Sequence, residues 1–184
     1  FYPLQMNGLP LISSFLTSSS LKFNRDYAQD TLYFFQYKAD FQPADPPTGI
    51  AQSVASRLLM DSVFISTQEV SLLQNHFYFI QSDTLSLEGL TLFMGPKHYP
   101  DMKLIDELIP PLTYFTSRSE IDEIRNAKDP KIAFENFWLN IHISPEAAGA
   151  AIRSYYRAIK KANELFTSYK EGWKTDRGMV YIIF

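Results

Sequence analysis

The 184-residue chain is 46% hydrophobic, 15% aromatic and 20% charged, enough apolar mass for one sizeable core or two small ones. Its 15 Phe, 11 Tyr and 2 Trp exclude a chain that stays disordered and solvated. With 17 Lys+Arg against 20 Asp+Glu the net charge is −3, which argues against a protein that coats nucleic acid, and no apolar run reaches the roughly 20 residues of a membrane-spanning helix.

The chain opens Phe1-Tyr2-Pro3-Leu4 without a charged-then-apolar leader, and it closes on the apolar run Val180-Tyr181-Ile182-Ile183-Phe184. Both ends read as cut from something longer. The absence of Cys removes disulfides, thiolate catalysis and thiolate metal sites, and says nothing of the compartment.

Residues 1–115 carry 6 basic and 11 acidic side chains, residues 116–184 carry 11 and 9, and the texture changes at the same point. The first part reads as strands: Leu21–Phe23, Thr31–Lys38, Arg57–Thr67, His76–Gln81 and Ser86–Met94. Within Thr31–Lys38, Tyr33, Phe35 and Tyr37 share one face, and Leu32 and Phe34 the other. Ser82-Asp83-Thr84 is a turn, and the proline-rich stretch 43–49 is a loop. Short strands joined by turns predict an antiparallel β-sandwich, Ig-like in size and lacking its first strands.

Residues 95–115 read as a connector, with Gly95-Pro96, Pro100 and Pro110-Pro111. Beyond it the apolar period becomes helical. Ser117-Arg118-Ser119-Glu120 has capping-box form and opens a helix to about Ala127. Asp129-Pro130 opens a second, to about Ile141, with Phe134, Phe137, Trp138 and Ile141 on one face. Ser144-Pro145-Glu146 opens the longest, to about Ser168, with a seam of Ala148, Ile152, Tyr155, Ile159, Ala162 and Phe166. The expected organisation is therefore α+β: a strand-rich domain over 1–104, and over 105–184 a three-helix region that ends in a strand.

Chemistry-bearing patterns are scarce. The three His stand at 76, 98 and 142, without metal-site spacing, and there is no phosphate loop, G-x-S-x-G elbow or H-E-x-x-H. No catalytic residue, metal ligand or cofactor is assigned. Arg153, Arg157, Lys160 and Lys161 lie on one side of the longest helix, opposite its seam. They form either a surface for an anionic partner or an ordinary solvated face; the second reading is the simpler.

The segment from Phe166 to Phe184 is different. Gly172 suits a left-handed cap that stops the preceding helix. Trp173 supplies a large anchor, Thr175-Asp176-Arg177-Gly178 reads as a polar turn, and Met179–Phe184 as a strand buried on both faces.

Gly172-Trp173-Lys174-Thr175-Asp176 resembles the signature of the GWxTD-domain family. The preceding Ala162-Asn163, the approach Phe166-Thr167-Ser168-Tyr169-Lys170-Glu171 and the exit Arg177-Gly178-Met179-Val180-Tyr181-Ile182 are similar too. So are Leu112-Thr113-Tyr114-Phe115-Thr116, Ala133-Phe134 and Phe137-Trp138, with a departure at Thr113, where the family commonly has Arg. The likeness is specific over roughly 105–184 and looser before it. It implies an exported cell-envelope protein of Bacteroidetes-type bacteria, in the periplasm or at the outer membrane, with any lipid anchor outside this stretch. It carries no established catalytic residues, so Gly172, Trp173, Thr175, Asp176 and Gly178 are motif and anchor residues.

The expected function is a non-enzymatic interaction or structural subunit of an outer-membrane-associated or secretion-related assembly. Its partners would be other envelope proteins. The alternative is a carbohydrate-binding or carbohydrate-active envelope protein, suggested by the aromatic and acidic residues.

Overall fold

The computed structural model describes residues 2–4, 14–17, 20–24, 31–44, 59–66 and 69–184. Most of the proline-rich loop, and both ends of the Arg57–Thr67 strand, lie outside them. The fold is mixed α and β, and the chain divides into two compact units: Phe1–Gln42, Ala55–Tyr99 and Thr167–Glu171 form one, and Pro43–Val54, Pro100–Phe166 and Gly172–Phe184 the other.

The first unit holds eight strands among the described residues: β1 (Tyr2–Leu4), β2 (Phe15–Leu16), β3 (Ser20–Asn24), β4 (Leu32–Lys38), β5 (Met60–Ser66), β6 (Glu69–Ser71), β7 (His76–Gln81) and β8 (Leu90–Met94). They build a three-stranded sheet in the order β1-β3-β6 and a five-stranded sheet in the order β2-β8-β7-β4-β5. The large sheet is mixed, not antiparallel as expected, because β2 runs parallel to β8. The strands β1, β2 and β6 are three, two and three residues long, too short to show an alternating pattern.

The expected alternation in β4 is present. Leu32 and Phe34 are fully buried and share one core with Leu21 and Phe23 of β3, Val70 of β6, Tyr78 and Ile80 of β7 and Leu92 of β8. Both sheets thus contribute to that core. Its member Tyr78 is hydrogen-bonded to the buried Gln36: Tyr78 Oη donates to Gln36 Oε1 at 3.0 Å and accepts from the Leu73 amide at 2.8 Å. Desolvation raises the Tyr78 pKa. On the other face Tyr37 stacks on Phe77 at 5.5 Å, and Tyr169, from the segment before the motif, packs edge-on against Phe77 and Phe41.

The second unit contains α1 (Ile105–Leu108), a 3-10 turn (Pro110–Tyr114), α2 (Arg118–Asn126), α3 (Pro130–Asn140), α4 (Pro145–Phe166), a second 3-10 turn (Gly172–Lys174) and α5 (Asp176–Ile183). The three helices expected from the sequence start where their acceptors stand. Ser117 Oγ accepts from Glu120 N, Asp129 Oδ1 from Lys131 N and Ile132 N, and Ser144 Oγ from Ala147 N. The supposed connector contains α1 and the first 3-10 turn, whose Pro111, Leu112 and Tyr114 are buried.

One expectation fails outright. Met179–Phe184 is not a strand but the greater part of α5. Gly178 and Met179 are buried while Val180 and Phe184 are exposed, which is a one-sided helical pattern and not burial on two faces. The β-branched and aromatic run Val180 to Ile183 favours a strand locally, but the cap at Thr175 and packing on α4 override it.

Candidate functional site

Each motif residue has an internal role. Gly172 does not end α4 in a left-handed cap: α4 stops at Phe166, and Gly172 opens the second 3-10 turn without the positive φ of such a cap. A glycine is required because a Cβ there would lie 2.1 Å from the Ala162 carbonyl oxygen and 2.7 Å from Asn163 Cα. The bare backbone lets this turn lie directly on α4.

Trp173 is 2% exposed, and joins Ala44, Tyr114, Ile159 and Met179 in one buried cluster. Its backbone is held on both sides. The amide donates to Asn163 Oδ1 at 3.0 Å, and the carbonyl accepts from Tyr114 Oη at 2.6 Å. Asn163 is completely buried and also donates from Nδ2 to the Pro100 carbonyl at 3.1 Å. Lys174 Nζ sits 5.6 Å from the centre of the indole ring, within cation–π range.

Thr175 is the N-cap of α5. Its Oγ1 accepts from the Gly178 amide at 3.0 Å and donates to the Gly172 carbonyl at 2.7 Å. Asp176 is exposed in the first turn of α5, where the helix dipole favours an acid. Gly178 faces the Gly172 carbonyl so closely that no side chain fits. The polar "turn" read from Thr175 to Gly178 is therefore a helix start.

Side chains of α4 also satisfy carbonyls in the region before α2. Tyr155 Oη donates to Pro111 O at 2.5 Å, and Tyr156 Oη donates to Leu108 O. Burial raises the pKa of Tyr155 and of Tyr156. It does the same to Tyr114, where the nearby Asp176 carboxylate adds to the effect. The seam residues Ala148, Ile159 and Ala162 are buried as the spacing predicts, but the hydroxyl partners of the tyrosines and the role of Asn163 leave no local signal.

The four basic residues of α4 divide into two kinds. Lys160 pairs with Asp101 at 2.8 Å and Lys161 with Glu164 at 2.9 Å, and in each case the carboxylate raises the lysine pKa. Arg153 and Arg157 are exposed and form no ion pair among the described residues. Arg153 Nη1 would lie 3.3 Å from a Cβ on Gly149, one turn before it.

Sequence reasoning missed a shallow, open cleft of about 410 Å³ on the surface of the helical unit. Its aromatic walls are Phe115, Trp138, His142 and Tyr155; Ser154 and Ile182 complete the polar and aliphatic sides. The planes of Trp138 and His142 are 4° from parallel, with centres 6.0 Å apart. Trp138 Nε1 and His142 Nε2 are both buried without a hydrogen-bond partner among the described residues. These residues come from four separated segments, so no spacing announces the cleft.

Among the described residues no helix is long and apolar enough to cross a membrane. No curated protein and no solved structure matches the chain significantly. The sequence model of the GWxTD domain matches residues 76–184, more than half of the chain. With its signature residues packed and capped as one unit, the chain belongs to the GWxTD domain family.

Proposed function

We propose that this chain is a non-enzymatic cell-envelope protein, acting as an interaction or structural subunit of an outer-membrane-associated or secretion-related assembly. The observation that carries the reading is the apolar rim of the helical unit. Phe115 and Ile141, which line the cleft, are 43% and 53% exposed, and Ile143 is fully exposed. Large apolar side chains left in water around a concavity fit a surface that another protein covers. The motif fits a structural role, because the Trp173 amide is tied to Asn163 of α4 and Thr175 Oγ1 closes the turn that starts α5. The envelope location rests on the family resemblance, and the partner would be another envelope protein.

The test is a native pull-down of the full-length protein from detergent-solubilised envelope, with wild type and an Ile143→Asp variant compared by mass spectrometry. A stoichiometric partner retained by wild type and lost from the variant is the expected result. A monomer that fractionates without membranes, or a partner indifferent to Ile143→Asp and to a second variant, Phe115→Ser, overturns it.

A further inference from the structure

Leu85 and Leu87 are 92% and 99% exposed, on the loop that joins β7 to β8. Apolar side chains scattered singly in water are ordinary, but these two stand two residues apart on a loop whose backbone is pinned. Gln81 Nε2 donates to the Ser86 and Glu88 carbonyls at 2.6 and 2.9 Å. Asp83 Oδ1 accepts from the Leu85 amide at 2.9 Å, and Ser86 Oγ from the Glu88 amide at 3.0 Å. The loop is thus ordered before it meets anything, which lowers the entropy cost of docking. Asp83 and Glu88 stand on either side of the leucines, exposed and without an ion pair among the described residues.

The helical unit offers the complementary surface. Its cleft is open, with a volume of about 410 Å³ that has room for a pair of leucine side chains, and Phe115, Ile141, Tyr155 and Ile182 give it apolar walls. Arg153 and Arg157 immediately precede Ser154 and Ala158, two lining residues on α4, and both are exposed without an ion pair among the described residues. Charge is complementary along the chain as well. Residues 1–115, which hold the loop, carry 6 basic and 11 acidic side chains; residues 116–184, which supply most of the cleft, carry 11 and 9. We infer that the cleft receives the Leu85–Leu87 loop of a second copy of this chain, with Asp83 and Glu88 facing Arg153 and Arg157; this rests on the reading of the cleft rim as a protein-covered surface, and names what covers the cleft itself. A lipid surface suits the loop less, because its carboxylates are repelled by anionic headgroups and no Lys or Arg stands between Gln81 and Met94 to offset them.

Sedimentation equilibrium of the whole chain from roughly 10 μM to 1 mM spans the range in which a contact of this size forms and dissociates. The expected result is an average mass that climbs above one copy with concentration and falls back as salt is raised. Leu85→Ser combined with Leu87→Ser removes the docking side chains, and Ser154→Glu puts bulk and negative charge at the cleft. All three positions are exposed, so both variants should keep the fold. Each alone should associate about tenfold more weakly or worse. Mixed in equal amounts they should pair again, because the first keeps an intact cleft and the second an intact loop. A wild type that stays single throughout, variants that associate as wild type does, or a mixture that fails to recover overturns the inference. So does binding to phosphatidylethanolamine–phosphatidylglycerol vesicles that the double leucine variant loses, which assigns the loop to a lipid surface. A protein that stays single yet retains an envelope partner sensitive to Ile143→Asp overturns this contact and leaves the assembly reading standing, since Ile143 does not line the cleft. Self-association without such a partner does the reverse.

Discussion

A Cβ placed on Gly178 would stand 1.9 Å from the carbonyl oxygen of Gly172. The same carbonyl accepts from Thr175 Oγ1 and Thr175 N, so three elements of the motif converge on one oxygen. Neither glycine can gain a methyl group without moving backbone, because a Cβ on Gly172 would in turn meet the Ala162 carbonyl. Gly178→Ala and Gly172→Ala should each destabilise the protein by about 3 kcal/mol or more, as overpacking against rigid backbone does. Urea denaturation checks this; a loss under about 1 kcal/mol for either would show that the turn yields easily.

Trp173 is the anchor that this close approach serves. Trp173→Ala should cost roughly 3–5 kcal/mol, through lost burial and the cavity left against Tyr114, Ile159 and Met179. Asn163→Leu removes the acceptor of the Trp173 amide and the donor to Pro100 O, and should cost roughly 1–3 kcal/mol for each buried group left unpaired. Thermal unfolding of both variants is the measurement. A stable Trp173→Ala protein would mean that the indole serves a partner and not the core.

Helix starts were legible because their cause is local: Ser117, Asp129 and Ser144 each accept from an amide two or three residues ahead. The same logic applied to Thr175 and Asp176 marks the start of α5, but Val180, Tyr181, Ile182 and Ile183 have the side chains of a strand. Packing of Met179 and Ile182 against the Trp173 cluster decided the outcome, and that contact is invisible along the chain. A close approach and a left-handed φ both demand glycine, so the sequence marks Gly172 without telling which of the two applies. The cleft was illegible altogether, because Phe115, Trp138, Ser154 and Ile182 meet only through tertiary packing.

Tyr114, Tyr155 and Tyr156 all have pKa values raised above the ordinary 10.0, chiefly by burial. The folded state therefore keeps these protons after the unfolded chain begins to release them. Stability is fully present below pH 10 and should fall progressively above it. Tyr155→Phe should lower stability at pH 7 by roughly 1–3 kcal/mol, because Pro111 O loses its donor, while making the decline above pH 10 shallower. Denaturation midpoints followed from pH 7 to 11 test both halves; an alkaline slope identical to wild type would contradict the assignment.

The split in the basic face of α4 makes a paired prediction. Arg157 is exposed without an ion pair among the described residues, so Arg157→Glu should leave stability within about 0.5 kcal/mol of wild type. Lys160→Glu places a carboxylate against Asp101 in place of a 2.8 Å ion pair, and should lower the melting temperature below that of Arg157→Glu. Raising the salt concentration should narrow the difference, because both groups are partly solvated. Equal melting temperatures at low salt would show that the Lys160–Asp101 contact adds nothing.

Glu120 closes the capping box of α2, accepting from the Ser117 amide at 2.9 Å and from the hydroxyls of Thr116 and Ser117. These hydrogen bonds, with Thr116 contributing most, hold its carboxyl at about 2, below the ordinary 4.5. A depressed folded pKa means that the unfolded chain takes up a proton first as pH falls. The stabilising contribution is complete above about pH 4.5 and is lost as pH drops toward 2. Glu120→Gln can still accept at the Ser117 amide but has no proton to gain in this range. It should therefore be less stable than wild type at pH 7, and the two proteins should converge as pH approaches 2. Urea titrations at pH 7, 4 and 2.5 are the measurement, and a stability difference that stays constant across all three would rule out Glu120 as the titrating cap.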